Sequence, residues 1–253
     1  MKGEHTMDYL GITKEYYAQW LGVAPGELDK QGMHFVHSPQ RNVRQKGYGE
    51  QYDVFMWIAQ NRIIVSYGDK AAGKIGQLKN GINSSMQTED AARILQSVWG
   101  IVPSRLTKFV YDSLPKIETK AYKMTAGDVE LYKAFFMAYS PNATDISWLD
   151  EYYNDIVSTG FCYGEMIFGK LVCMNDLPGM PYMENVVREI GINTLPDYRQ
   201  KGLARRVCTS CIHAMVQSNI CPQWSTQNTN EASARLAHSI GFKKMADVMT
   251  ITL

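Results

Sequence analysis

The sequence predicts a mixed α/β protein, with helices packed on a sheet that contains a parallel pairing. Three observations predict it. The composition, 45% hydrophobic and 20% charged over 253 residues, is that of a globular chain. Short apolar runs bounded by Gly, Asn and Pro alternate with segments of helical period that carry their own caps. In the C-terminal half the order is strand, loop, helix, strand, helix, strand, and a strand–helix–strand crossover brings two strands parallel.

Taken in order, residues 54–57 and 63–67 read as a hairpin around the polar turn Gln60-Asn61. Residues 89–99 read as a helix, with Thr88 as N-cap and Gly100 as its stop. The stretch 38–51, with Arg41, Arg44, Lys46, Gly47 and Gly49, reads as a solvated, flexible loop, a phosphate contact being the alternative. Gly100, Pro103 and Pro115 punctuate a boundary, which divides the chain into an α/β accessory region, 1–115, and a second part, 116–253.

In that second part, 125–138 reads as a helix whose Thr125 and Asp128 complete a capping box. A helix is expected over 148–157. A hairpin follows over 161–168 and 171–174, turning at Gly169-Lys170. A Pro/Gly loop over 176–181 leads to a strand over 185–194. A helix opens at Pro196 and runs to about 217. A strand over 223–227, a helix over 231–240 with Gly241 just past its end, and a strand over 243–253 complete the pattern.

Composition also excludes function classes. With 26 basic and 25 acidic residues the net charge is +1, without the basic excess of a nucleic-acid binder. The longest apolar run, Val54–Ala59, is far short of the ~20 residues of a membrane span. Met1-Lys2-Gly3-Glu4-His5 has no apolar signal core behind it. Five cysteines is an odd count, and reduced thiols in the cytoplasm are the expectation.

The chemistry concentrates in Glu189 to Ala204, EIGINTLPDYRQKGLA. A strand ends at Thr194 and a helix starts soon after. A helix start presents several backbone N–H groups without intrahelical partners, backed by the dipole. That suits a phosphate or pyrophosphate. Gly202 permits close approach, and Arg199, Lys201, Arg205 and Arg206 add positive charge. The three-glycine dinucleotide pattern and the Gly-Lys-Ser/Thr loop are both absent from the chain.

Arg199-x-x-Gly202-x-Ala204 resembles the acyl-CoA loop of GNAT acetyltransferases. Four neighbours agree with that family: Ile190-Gly191-Ile192-Asn193-Thr194 before the loop, Pro196-Asp197-Tyr198-Arg199 leading into it, Asn230-x-x-Ser233 at the next helix, and Leu236-Ala237-x-x-Ile240-Gly241-Phe242 at its end. Pro222-x-Trp224 with the residues that follow is similar to the branch related to zwittermicin-resistance acetyltransferases. The resemblance implies the GNAT acyl-CoA N-acyltransferase fold, with 1–115 as an N-terminal extension placed to cover the acceptor site.

It also implies acetyl-CoA as cofactor. The backbone of Gln200, Lys201, Gly202, Leu203, Ala204 and Arg205 would take the pyrophosphate, with Arg199 beside them. Ile192, Asn193 and Thr194 would take the pantetheine arm. Asn230 and Ser233 would reach the cofactor from the other side, with helix capping as the plain alternative for Asn230. The partner is a small-molecule amine, whose proton a base must take. Glu189 is the first candidate, and Glu165 and Glu184 are rivals. A tyrosine that many relatives use as general acid is replaced by Ala237. His238 is one residue, about 100°, away around the helix. A homodimer is the oligomer common in the family. An acyl-CoA binder without turnover and a transferase of longer acyl groups remain as alternatives.

Other groupings point to packing. Cys208-x-x-Cys211 lies on the helical face of Leu203, Val207, Ile212 and Met215, and no second ligand pair is present for zinc. The five histidines have no metal spacing, and no metal site is expected.

Overall fold

The computed structural model describes residues 7–47, 49–113 and 120–253. The polar stretch 1–5 and the boundary proline Pro115 lie outside them. Helix α1 (Tyr9–Leu21) is capped by Asp8, whose Oδ1 accepts from Gly11 N–H at 2.9 Å, and stops at left-handed Gly22. Strand β1 (Gly32–His37) follows, then β2 (Val54–Ala59) and β3 (Arg62–Tyr67), the expected hairpin, with Asn61 at φ 54° in its turn. Helices α2 (Asp69–Ala72), α3 (Ile75–Gly81) and α4 (Thr88–Trp99) come next. Gly100 ends α4 as expected, but Gln87 is its N-cap, and the Thr88 hydroxyl donates instead to Asp247 at 3.1 Å.

Strand β4 (Ser104–Tyr111) and the short β5 (Tyr122–Lys123) lead to α5 (Val129–Tyr139), entered through the Thr125–Asp128 capping box. Then come α6 (Leu149–Ser158), β6 (Tyr163–Ile167), β7 (Lys170–Asp176), β8 (Val187–Glu189), β9 (Gly191–Thr194), α7 (Leu203–Gln217), β10 (Cys221–Gln227), α8 (Glu231–Ser239) and β11 (Phe242–Ile251).

The strands form two sheets. One runs β1-β3-β2-β11-β4-β10-β8 and the other β5-β6-β7-β9. The larger sheet takes strands from both sides of residue 115, because β11 lies between β2 and β4. The sequence boundary therefore does not separate two sheets. The parallel pairing expected in the C-terminal half is β8 with β10.

Period-2 alternation explains why the run in β2 is apolar throughout. Val54, Met56 and Ile58 pack with helices α3 and α4 on one face. Phe55 and Trp57 pack under α1 on the other, with Tyr17, Trp20 and Val248. Each fully buried large apolar side chain there contributes about 1.5–3 kcal/mol. A third core joins α5, α6 and α7 to the smaller sheet, and Val207, Cys208, Cys211, Ile212 and Met215 are buried in it, as their helical spacing predicts.

The 38–51 loop departs from expectation. Arg41 is 0% exposed, with its guanidinium 5.5 Å from the Trp20 ring and 5.4 Å from Phe55. Gln45 is also buried and donates to Gln40 O and Val43 O at 2.8 and 3.1 Å. Arg44 and Lys46 remain exposed. This loop is anchored by two buried polar side chains rather than solvated along its length.

Candidate active site

The segment 187–194, expected as one strand, serves two sheets. Val187 to Glu189 pair in parallel with Cys221 to Gln223, and Ile190 N–H still reaches Gln223 O at 3.1 Å. From Gly191 the chain turns to β7, and Gly191 to Thr194 pair with Asp176 to Cys173. Past Gln223, β10 pairs with β4 on its other side, through Trp224 to Gln227. A wedge therefore opens between β9 and the second half of β10, with β9 as the end strand of its sheet.

The loop after β9 meets the foot of this wedge. Helix α7 was expected to open at Pro196 but begins at Leu203. Pro196–Tyr198 is a separate 3-10 turn, and Gln200 (φ 60°) and Gly202 (φ 74°) are left-handed, which breaks helix continuity. No side chain caps α7. Its first bond runs from Arg206 N–H to Gly202 O at 3.2 Å, so the N–H groups of Leu203, Ala204 and Arg205 face out of the helix start. A Cβ built on Gly202 meets nothing within 4 Å. The cradle has open space in front of it, which fits a phosphate.

Arg199 Nε donates to Thr194 O at 3.1 Å and ties the loop to the end of β9. Lys201 Nζ donates to Asp197 O at 2.9 Å and lies over the Tyr198 ring. Arg205 is exposed at the mouth of the helix. Ile192 is half-buried and packs against the core, and the Thr194 hydroxyl donates to Cys173 Sγ at 3.1 Å. Asn230 is the N-cap of α8, its Oδ1 accepting from Ser233 N–H at 3.1 Å, and Ser233 Oγ accepts from Trp224 Nε1 at 3.2 Å. Both side chains are thus held at the start of α8, beside β10.

The candidate bases separate clearly. Glu165 is in a two-point ion pair with Arg206, at 2.7 and 3.2 Å. Glu184 pairs with Lys46 and Arg188, and the Lys46 hydrogen bond holds its carboxyl below the ordinary range. Glu189 ends β8 where the wedge begins. It is 8% exposed and accepts a hydrogen bond from Ser225 Oγ. Lys108, opposite Ser225 in the β4–β10 ladder, is buried beside it. Burial lowers that ammonium's pKa, and the Glu189 charge opposes the shift. Burial and then the same charge push Tyr17 of α1 far up. Helix α1 packs on this face, with Tyr17 in one core with Val187 of β8 and Cys221 of β10.

Two groups that sequence reasoning left out lie on the same segment's other side. Asp176, assigned to a loop, is the last residue of β7 and pairs with Gly191. Burial raises its pKa, and the Glu189 charge adds to the rise. Tyr152 of α6 donates its hydroxyl to Asp176 Oδ1. The signal available in the sequence was a carboxylate ending the apolar run Leu171 to Met174. Ala237 is fully buried and has no titratable group, and His238 Nδ1 is 3.1 Å from Phe242 O. Among the described residues no group of three or more His, Cys, Asp or Glu is placed to hold a metal.

A family model described as GNAT acetyltransferase matches residues 87–248. The chain belongs to the GNAT acetyltransferase family. Solved GNAT structures share its fold. An acetyltransferase from Colwellia psychrerythraea superposes with a TM-score of 0.50 at 16% identity, over 58% of this chain and 55% of that one. A GCN5-related N-acetyltransferase from Sphaerobacter thermophilus gives 0.50 at 15%, over 63% and 55%. A GNAT-family protein from Novosphingobium aromaticivorans gives 0.47 at 23%, over 59% and 64%. This chain thus spans between about half and two-thirds of the length of each. No curated protein matches the sequence. No helix among the described residues is long and apolar enough to cross a membrane.

Proposed function

We propose that this GNAT protein transfers an acetyl group from acetyl-CoA to a primary amine of a small molecule. The observation that carries the reading is the wedge between β9 and β10, with the uncapped start of α7 at its foot. Gly202 and the N–H groups of Leu203, Ala204 and Arg205 would hold the pyrophosphate, with Arg199, Gln200 and Lys201 shaping the loop. The free edge of β9, at Ile192, Asn193 and Thr194, would hold the pantetheine arm. Acetyl-CoA supplies the activated acyl group.

Glu189 takes the acceptor's proton. An ammonium cannot act as a nucleophile, so its proton must leave first. Glu189 lies at the apex of the wedge with Ser225 fixing its carboxylate, whereas Glu165 and Glu184 are committed to ion pairs. With Ala237 where many relatives carry tyrosine, α8 offers no acid at that point. Residues 1–115 would cover the acceptor side, since Tyr17 of α1 shares a core with Val187 of β8 and Cys221 of β10. The Pro222-x-Trp224 pattern and Asn230, Ser233 and Leu236-Ala237 support placement near the zwittermicin-resistance branch.

Thermal shift tests the cofactor half. Acetyl-CoA and CoA should raise the melting temperature and NAD should not. No shift with CoA at millimolar concentration overturns the proposal. Thiol release with a panel of amines tests the transfer. A CoA shift without release across the panel favours a silent acyl-CoA binder, the reading that Ala237 supports.

A further inference from the structure

Lys108 has no part in the chemistry described so far. It lies in the middle of β4 and is 4% exposed, a burial that lysine seldom shows unless it is paired. Ser225 of β10 stands opposite it on one side and Ala246 of β11 on the other, so two small side chains make room for its stem. Tyr17 of α1 closes the space above, with its ring centroid 5.8 Å from Nζ. Among the described residues Nζ makes no direct hydrogen bond or ion pair. An ammonium taken out of water is costly unless an opposite charge compensates it.

The sheet register supplies that charge. Glu189 stands opposite Gln223 in the β8–β10 pair, and Gln223 and Ser225, two residues apart, share one face of β10. Glu189, Gln223, Ser225 and Lys108 therefore form a polar row across three strands, on the face against which α1 packs. Ser225 is the link. Its hydroxyl donates to Glu189 Oε1, and Lys108 is its direct neighbour across the ladder, where Cβ atoms lie about 4.5–5.5 Å apart. Gln223 ties the row to α1 by donating to Thr13 Oγ1 at 3.0 Å.

The charge on Glu189 acts on Tyr17 of α1, Tyr52 ahead of β2, Asp176 of β7 and Lys108 of β4. Lys108 is the cation of the four. Arg188 alternates to the other face of β8 and pairs with Glu184 at 3.6 Å. Arg41 of the 38–51 loop lies against Trp20 and Phe55. Resting on the transferase reading above, we propose that Lys108 is a positioning residue for the base: its ammonium, just beyond the Ser225 hydroxyl, keeps the Glu189 carboxylate ionised beneath α1 and ready for the acceptor's proton. The effect is electrostatic. When Glu189 takes the amine's proton, Lys108 stays an ammonium, and no proton passes through it. The coupling is mutual, since the Glu189 charge opposes the loss of the Lys108 proton that burial favours.

Titration by NMR tests this without any acceptor. In protein labelled with carbon-13 at glutamate Cδ, the Glu189 signal is assigned by its loss in Glu189→Gln. Lys108→Met, apolar and similar in length, should move the Glu189 titration up by at least about one pH unit, and Lys108→Arg should leave it within about half a unit of wild type. Glu165, paired with Arg206, should not move in either. If Lys108→Met does not fold, Glu189→Gln gives the reciprocal reading: the Lys108 ammonium, followed at lysine Cε, should titrate lower by a similar amount. The kinetic counterpart is kcat/KM from CoA release with the fastest amine of the panel, whose own ionisation cancels between variants. On the acid limb Lys108→Met should lose about tenfold or more and recover it at higher pH, and Lys108→Arg should not lose it. A Glu189 carboxyl unmoved in Lys108→Met, or a Lys108 ammonium unmoved in Glu189→Gln, overturns the pairing. A carboxyl that moves while the acid limb stays overturns the role in transfer. CoA stabilisation with no release from any amine overturns the transferase reading and this role with it, while the two titrations still decide the pairing.

Discussion

Gly202→Asp separates the fold of the loop before α7 from the ligand chemistry proposed for it. The position has φ +74°, and an added Cβ meets nothing within 4 Å. The fold therefore bears only the left-handed backbone cost, about 1–2 kcal/mol for a residue with a Cβ. Asp is among the residues that tolerate this region best, and its carboxylate can accept from the orphan N–H groups it faces. For a chain of this size about 1 kcal/mol corresponds to ~2–4 °C, so the melting temperature should fall by no more than about 8 °C. Binding is affected far more. A carboxylate about 6 Å from a phosphate charge costs ~0.7 kcal/mol at the dielectric of water and ~3 kcal/mol at an effective value of 20. Two phosphate charges double it. The added side chain also takes the N–H groups of Leu203, Ala204 and Arg205 that the phosphates would use. CoA should bind at least ~30-fold more weakly, a defect of about 2 kcal/mol or more, and that defect should shrink as salt screens the repulsion. Gly202→Ala carries the backbone cost without the charge and should fall between wild type and Gly202→Asp. Isothermal titration with CoA at two salt concentrations measures all three. Affinity for CoA within threefold of wild type in Gly202→Asp would refute the assignment of the helix start to the pyrophosphate.

Asp176→Asn should melt at or above wild type at pH 7. Burial holds the native carboxyl above its ordinary pKa, so the native state keeps a proton that the unfolded chain has lost, and stability falls as pH rises from the ordinary value through the raised one. The variant lacks that term, so its advantage should vanish below about pH 4, near the ordinary Asp value; a wild type that gains stability across that rise contradicts the burial argument. Asn230→Ala removes the α8 cap and should cost about 1 kcal/mol in urea denaturation. Gly47→Ala places a Cβ 1.7 Å from the Gly179 carbonyl oxygen at φ +79°, so the two loops must part; a loss of about 2–4 kcal/mol is expected, and unchanged stability would show that they do not pack. All five cysteines are buried and free, with Cys162 and Cys173 pushed up to about 12 and Cys221 to about 11. The native protein should therefore be silent to a thiol reagent at pH 8 and release five thiols on unfolding, which leaves CoA release readable against a flat background.

What was legible in the sequence was local. The β2–β3 hairpin, the Thr125–Asp128 capping box, Gly100 as helix stop and the open Gly202 turn each follow from a few adjacent residues. What was hidden depends on partners distant in the chain. Strand β4 carries Arg105, Thr107 and Lys108 among its apolar residues, and reads as a connection until β10 and β11 flank it. Helix α1 carries its aromatic residues Tyr16, Tyr17 and Trp20 in a mixed sequence, and only the sheet face above Glu189 shows what they cover. Arg41 looked like a loop cation because nothing nearby in sequence announces Trp20 and Phe55 as its neighbours. The break at Ile190 is set by β10 turning from β8 to β4, which no residue between 185 and 194 encodes alone. Of the candidate site, the uncapped helix start behind the open Gly202 was readable because glycine and a helix start suffice to make one. The burial of Asp176 was not, because it depends on Gly191 across a strand pair and on Tyr152 of α6.

The sheet order also bears on how the site is built. Strand β11 is held on one side by β2 and on the other by β4, both encoded before residue 115, and both flanks would be open edges without them. The same N-terminal residues place α1 over Glu189 and bring Lys108 beside it. Covering this face therefore does two things through one set of contacts. It completes the sheet that holds β10 apart from β9, and it removes water from around the carboxylate at the wedge apex. Removing water strengthens the field of Glu189 on Tyr17, Lys108 and Asp176 alike. On the role proposed for Glu189, substitutions in α1 that admit water beside it should alter KM for the acceptor amine before they alter the binding of CoA.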